Sequence, residues 1–274
     1  MSQAPSTHIA FIGGGNMASA IIGGLIASGL PASQITVVEP FEAARDALKA
    51  KFGIDALPNA TAALSAADLV VWATKPQTFK EATTAVAAHT TQALHLSVAA
   101  GITTDSIAQW LGTGRIVRAM PNTPALVGKG MTGLFARPDV DAAGKALIER
   151  VIATTGQLVW VDAEAKLDAV TAMSGSGPAY VFLFLEAMTQ AGVDMGLTAD
   201  QSYQLAIATF QGASELAARS DEPASVLRER VTSKGGTTYA AITHMQQNEL
   251  PQHFIAALRR AESRAKELAA EFGK

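Results

Sequence analysis

The chain has 274 residues, 49% apolar and 16% charged, so it carries material for a sizeable core and is not a disordered segment. A net charge of −3 offers no basic field, which argues against nucleic acid or an anionic membrane as main partner. The absence of cysteine excludes disulfides, thiolate nucleophiles, iron–sulfur clusters and cysteine-ligated zinc.

At roughly 100–200 residues per domain, the length allows one large domain or two modest ones. The start, Met1 to His8, is short and polar and carries no basic, apolar and cleavage pattern. The most apolar stretch, Ala179 to Gly192, is interrupted by Glu186, Thr189 and Gln190, too short and too polar to span a bilayer. A cytoplasmic location without targeting segment or membrane contact is expected.

The first half alternates strand and helix signals. Residues 8–12 form a short apolar run that ends at Gly13, Gly14 and Gly15, and residues 17–28 follow with helical spacing. Strands are expected at 35–38, 68–73, 94–98, 115–120, 133–136 and 158–161, with helices at 43–52 and 142–155. Such alternation implies right-handed βαβ units and a mostly parallel, doubly wound sheet, an α/β fold.

After Asp162 no strand is legible. Helices are expected at 163–173, 178–195, 199–219, 224–231, 239–247 and 252–272. The second of these carries Tyr180, Val181, Phe182, Leu183, Phe184 and Leu185 on every face, so it should be buried, with cover from a second subunit. The organisation expected is therefore a dinucleotide-binding domain at 1–162 and an all-helical domain at 163–274.

Gly13-Gly14-Gly15-Asn16-Met17-Ala18 follows a strand, opens a helix and fits G-x-G-x-x-[GA]. The first glycine permits the tight turn, the second lets amides approach a pyrophosphate, and the small Ala18 lets helix and strand pack closely. Glu39 ends the second strand, where an acid hydrogen-bonds an adenosine ribose 2′-hydroxyl and repels a 2′-phosphate, or is simply a solvated strand end. Arg45 lies within reach of a phosphate. Thr74-Lys75-Pro76-Gln77 and Ser97-Val98-Ala99-Ala100-Gly101 each follow a strand at the ligand-binding edge of such a sheet, and each reads equally well as a plain turn. Met120-Pro121-Asn122-Thr123-Pro124 reads as a rigid structural loop.

Ser174-Gly175-Ser176-Gly177-Pro178 separates two helices with small residues and presents hydroxyls at a helix start. Thr232-Ser233-Lys234-Gly235-Gly236-Thr237-Thr238 repeats the device. Thr237 or Thr238 could cap the following helix, and the free amides there would equally hold a substrate carboxylate. His8, His89, His95, His244 and His253 show no metal spacing and read as surface or structural residues.

Together these motifs resemble the pyrroline-5-carboxylate reductase family, in order and over nearly the whole chain. The most specific are Ser174-Gly175-Ser176-Gly177-Pro178-Ala179-Tyr180 and Val231-Thr232-Ser233-Lys234-Gly235-Gly236-Thr237-Thr238. The resemblance implies a Rossmann-type domain, a helical domain that interlocks two chains into a homodimer (in some members a larger ring of dimers), and reduction of the small-molecule substrate 1-pyrroline-5-carboxylate to L-proline with NADPH or NADH. It implies a cofactor site at Gly13 to Ala18, Asn59, Ala73, Thr74, Lys75, Ala99, Ala100 and Gly101, with Glu39 added from its strand-end position and Arg230 from a less secure match. It implies a substrate site at Glu164, Thr237 and Thr238, near Ser174, Gly175, Ser176, Gly177, Gly235 and Gly236, with Thr238 as the hydroxyl beside the imine nitrogen. Two departures stand out: Lys234 where members often have proline, and Glu39 where NADPH-preferring members have a small polar residue. A β-hydroxy acid dehydrogenase would instead want a catalytic lysine near Lys166, and would leave the Gly-Gly-Thr-Thr loop unexplained. A regulatory protein that binds a dinucleotide without turnover would need no such loop.

Overall fold

The computed structural model describes residues 7–272; the polar start read above as free of a targeting signal lies largely outside them. The chain packs as two units, Met1–Ser176 with Ala261–Lys274, and Gly177–Arg260. Residues 163–176 and the end of the last helix thus go with the first unit, which differs from the division expected at 162.

The first unit is built on a seven-stranded sheet in the order β2-β1-β3-β4-β5-β6-β7. Its strands are β1 Ile9–Ile12, β2 Ile35–Val38, β3 Leu69–Trp72, β4 Leu94–Ser97, β5 Ile116–Met120, β6 Gly130–Ala136 and β7 Gly156–Trp160. All pairs are parallel except β5 with β6. The central strands β1 and β3 are apolar and buried along their whole length because helices cover both faces. Ile9, Phe11, Val37, Val71 and Leu96 pack on one face with Ile21, Ile22 and Leu25 of α1 (Asn16–Ala27), Leu48 of α2 (Glu42–Phe52) and Ile148 and Ile152 of α5 (Ala142–Ala153). Ala10, Ile12, Val70 and Trp72 pack on the other with Phe79 and Val86 of α3 (Pro76–Val86) and Ile107 and Leu111 of α4 (Thr104–Leu111).

Helices α3 and α4 were not read from the sequence, although their signals are local. Pro76 stands at the first position of α3. Thr103 caps α4 by accepting from Ser106 N–H, and Gly112 ends it in the left-handed region. The expected helix over 163–173 is instead a short α6, Lys166–Val170, followed by a π-helical turn at Thr171–Gly175.

The second unit is helical: α7 Gly177–Asp194, α8 Ala199–Arg219, α9 Ala224–Arg230, α10 Thr237–Gln247 and the first part of α11, Leu250–Phe272. Thr198 and Gln201 form a reciprocal capping box on α8. Phe184 packs against Phe210 and Phe254, with ring centroids 6.4 and 5.9 Å apart. The burial expected of α7 is not met within one chain, because Phe182 and Leu183 stay 58% and 62% exposed. The last residues of α11 return to the first unit, where Phe272 packs on the face carrying Trp72 and Ile102.

Candidate active site

The glycine turn lies at the carboxyl edge of the sheet, between β1 and α1. Gly13 has φ +97°, and a side chain there would put its Cβ 2.7 Å from the Ala73 carbonyl oxygen, so only glycine lets β1 leave the sheet beside β3. The Gly13 N–H donates to the Val38 carbonyl at 2.8 Å, and the Ala73 N–H to the Ile12 carbonyl at 2.8 Å. Gly15 differs: it is the N-cap of α1, without a side-chain cap, and the space where its Cβ would stand is empty. Asn16 is exposed, Met17 half-buried and Ala18 fully buried against the core. An uncapped helix start with open space before it is an anion site in waiting.

Other expected cofactor residues gather at this edge. Glu39 is buried, with Oε2 accepting the Gly14 N–H at 2.8 Å and Oε1 the Phe41 N–H at 2.9 Å. The loop carrying the exposed Asn59 is tethered there, because Glu39 N–H donates to the Leu57 carbonyl and Leu57 N–H to that of Val37. Thr74 follows β3, and its Oγ1 is buried without a hydrogen-bond partner in the protein. A buried hydroxyl left unpaired carries a desolvation cost that a ligand can relieve. The orphaned Thr74 hydroxyl, the empty space at Gly15 and the uncapped start of α1 are together what a dinucleotide requires, so the edge fits NAD(P)H. Lys75 is the exposed N-cap residue of α3.

Gly101 has a different reason to be glycine. Its φ is +75°, and a Cβ there would meet the Leu268 carbonyl oxygen of α11 at 3.3 Å and the Phe272 ring at 3.4 Å. The small residues of Ala99-Ala100-Gly101 thus make room for the end of α11, besides any ligand.

Glu164 is engaged within the first unit. Its Oε1 accepts the Thr104 N–H at 2.8 Å and the Arg118 Nη1 at 3.0 Å, while Oε2 accepts the Thr104 hydroxyl at 2.5 Å. The Arg118 side chain is 6% exposed and that of Glu164 21%. Arg137 reaches the same Thr104 hydroxyl at 3.4 Å and pairs with Asp105. Burial raises the pKa of nearby Asp168, opposed by the Arg118 charge. Thr104 and Arg118 were missed by the sequence reading, since they lie 60 and 46 positions from Glu164 with no local motif to mark them.

The Asn122 amide group bridges two segments, donating to the Ser174 carbonyl at 3.1 Å and accepting the Met131 N–H at 2.9 Å. That makes the double-proline loop a clamp on the π-helical turn. Within the turn the Ser174 hydroxyl donates to the Val170 carbonyl at 3.1 Å, and Ser176 N–H to that of Thr171 at 2.8 Å. A Cβ on Gly175 would lie 2.6 Å from Met120 Cε, so that glycine is set by packing, whereas the position of Gly177 is open.

In the second unit the capping role considered for Thr237 or Thr238 is not found. Gly236 is the N-cap of α10, no side chain caps it, and Thr237 and Thr238 are its first two helical residues. Gly235 before it has φ +79°. Thr237 is exposed and Thr238 half-buried. Arg230 ends α9 with its guanidinium on both carboxylate oxygens of Glu222, at 2.6 Å each. Lys166 is paired with Asp162 at 2.6 Å on the surface. His95 is buried, its Nδ1 accepting from Trp72 Nε1 at 3.1 Å, and burial lowers its pKa to about 4.

Residues 164–268 match the model described as pyrroline-5-carboxylate reductase dimerisation, and residues 8–101 that of NADP oxidoreductase, coenzyme F420-dependent. A Pseudomonas aeruginosa protein named pyrroline-5-carboxylate reductase is 44% identical over 97% of this chain and 98% of its own. The chain belongs to the pyrroline-5-carboxylate reductase family. A Haemophilus influenzae reductase of the same name is 40% identical over 95% of this chain and 97% of its own. The solved Coxiella burnetii pyrroline-5-carboxylate reductase superposes with a TM-score of 0.91 at 40% identity, covering 96% of this chain and 99% of that one. A Plasmodium falciparum pyrroline carboxylate reductase with NADP bound gives 0.85 at 25% identity, covering 97% and 100%. Membership makes the chain an NAD(P)H-dependent oxidoreductase with a Rossmann-type domain and a helical dimerisation domain, and sets aside both alternatives, the hydroxy acid dehydrogenase and the non-catalytic binder. Among the described residues no helix is long and apolar enough to cross a membrane.

Proposed function

We propose that this chain reduces 1-pyrroline-5-carboxylate to L-proline, the last step of proline biosynthesis. The observation that carries the reading is the end-to-end similarity to reductases of that name, which takes in both the glycine turn and the Gly235-Gly236-Thr237-Thr238 loop. Bound NAD(P)H supplies the hydride that the imine carbon accepts.

The protein's own part is to hold and to orient. Gly13 to Ala18, Glu39, Asn59, Ala73, Thr74, Lys75 and Ala99 to Gly101 would hold the dinucleotide, with the pyrophosphate on the uncapped start of α1. The resemblance adds Arg230, which would first have to leave Glu222. The uncapped amides of α10, preceded by Gly235 and Gly236, would receive the substrate carboxylate, with Thr237 and Ser174 to Gly177 as neighbours in the family pattern. Protonation makes the imine carbon a better electrophile, and Thr238 Oγ1 would donate to the neutral imine nitrogen, accept from the iminium N–H once it is protonated, or relay the proton from water. Threonine is too weak an acid to act alone, so positioning should matter more than acid strength. A direct role for Glu164 at the substrate is supported by the resemblance alone. Its bonds to Thr104 and Arg118 support a second part for it, in fixing the start of α4.

The proposal includes a homodimer and a cytoplasmic location, both supported by the resemblance; some members of the family assemble further, into a ring of dimers. The test is an assay of NADH and NADPH oxidation with pyrroline-5-carboxylate, followed by identification of the product. Stoichiometric proline is expected, and no oxidation with either dinucleotide would overturn the reading.

A further inference from the structure

We propose that Glu39 selects the cofactor, so that this chain takes NADH in preference to NADPH. The inference rests on the nicotinamide site of the proposed function and narrows it. Glu39 is 6% exposed, directly after β2. Its backbone is pinned by the N–H bond to the Leu57 carbonyl at 2.8 Å. Its two carboxylate oxygens are pinned by separate backbone amides, Gly14 on one side and Phe41 on the other. Rotating the carboxylate away would strand the buried Gly14 N–H, a change that buried donors resist. The acid is therefore a fixed part of the glycine turn.

At this place in a doubly wound sheet the group that arrives is the adenosine ribose. In NADH the ribose 2′-hydroxyl can donate to the carboxylate, which keeps accepting lone pairs beyond the two amides. In NADPH the same position carries a phosphate, with negative charge brought against negative charge in a half-dry environment.

A site for the 2′-phosphate needs a cation at that edge, and the arginine that stands there is already committed to the backbone. Arg45 Nη1 donates to the carbonyls of Glu39 and Pro40, at 3.0 and 2.7 Å. Lys49 pairs with Asp55 at 2.7 Å, and Lys51 lies over the Phe52 ring at 5.1 Å. The turn is thus complete as a hydroxyl acceptor, whereas a 2′-phosphate would have to draw Arg45 off two backbone carbonyls while facing the Glu39 charge.

The test is titration calorimetry on the wild-type protein, without a second substrate, using NADH, NADPH, ADP-ribose and 2′-phospho-ADP-ribose. NADH and ADP-ribose should each bind roughly tenfold or more tighter than the 2′-phosphorylated counterpart. Glu39→Gln, which keeps the shape and removes the charge, should shrink both ratios by about that factor. A wild-type protein that binds NADPH as tightly as NADH overturns the proposal, whatever the variant does. So does a Glu39→Gln protein that keeps the full discrimination. Binding is read without turnover, so a chain that fails to make proline would sink the proposed reaction and leave the cofactor preference standing, and the reverse holds equally.

Discussion

The two units close their apolar surface in different ways. The first covers both faces of its sheet with its own helices, and Phe11, Leu69, Trp72 and Phe79 are all fully buried. In the second, only Leu185, Gly192, Ser202 and Ala206 are buried among the residues from 177 to 260, while Phe182, Leu183, Tyr203, Leu205 and Leu216 are each more than half exposed. Covering one such Leu or Phe contributes about 1.5–3 kcal/mol, so a helical unit left this open is stable only against another surface. The dimerisation match over 164–268 says what that surface is: a second copy. One unit is a finished scaffold for a cofactor, and the other is half of a scaffold that two chains complete.

The sharpest way to test the self-sufficiency of the first unit is Gly15→Val. The Cβ meets nothing within 4 Å and the residue has an ordinary φ of −70°, so the fold should survive with an unchanged melting temperature. The branched side chain would fill the space before α1, and NAD(P)H affinity should fall by roughly 100-fold or more. Calorimetry beside a melting curve separates the two outcomes; a variant that melts normally and binds normally would show that the pyrophosphate goes elsewhere. Gly13→Val is the contrasting control, because its clash with Ala73 should unfold the turn itself.

Leu183→Asp probes the other half of the comparison. Burying an unpaired carboxylate in an interface costs several kcal/mol, and the variant should sediment as a monomer at micromolar concentration and lose activity. NADH binding to the first unit should persist. A fully active dimeric variant would place the contact between copies away from the middle of α7.

How much of this was legible depended on the range of the forces. The β1–turn–α1 segment is local, since strand run, glycines and helical spacing lie within 20 positions, and it was read to within a residue; β2 was read to its bounds. Glu39 was also legible as a strand-end acid, while its clamp by Gly14 and Phe41 needed coordinates. The Glu164, Thr104 and Arg118 cluster was not, because nothing near any of them marks the others. Nor was the division of α11 between units: its sequence is one uninterrupted helical pattern, and only packing tells that Phe272 belongs with Ala99 and Ile102. The Gly101 signal was seen and given an incomplete reason, since a small residue says that something approaches and leaves its identity open. Conversely α3 was overlooked although Phe79, Thr83 and Val86 stand at helical spacing on its buried side.

Thr238→Ala separates the two things the start of α10 can do. Gly236 is the cap position and no side chain bonds to it, so removing the Thr238 hydroxyl should leave helix stability nearly unchanged. A hydrogen bond to a charged iminium contributes about 1.5–3 kcal/mol, so kcat/KM for pyrroline-5-carboxylate should fall by roughly one to two orders of magnitude. NADH affinity should hold. An unaltered kcat/KM would leave the amides of α10 to hold the carboxylate alone, with water as the proton source.

The smallest effect returns to the closed core of the first unit and is read through pH. His95 is 1% exposed, accepts from Trp72 Nε1, and has a pKa lowered by burial from 6.5 to about 4. The unfolded chain therefore takes up a proton near pH 6.5 that the folded chain refuses until about pH 4. Above pH 6.5 the difference costs nothing; as pH falls toward 4, the unfolded state gains protons and stability drops, by about 2 kcal/mol at pH 5 for this one group. Urea unfolding at pH 7 and pH 5 measures the drop, and His95→Gln gives the reference. The variant should be less stable at pH 7, because it disturbs the Trp72 contact, yet should lose less on going to pH 5. Equal losses in both proteins would mean that water reaches the imidazole, and that the face of the sheet carrying Trp72 is less closed than its packing indicates.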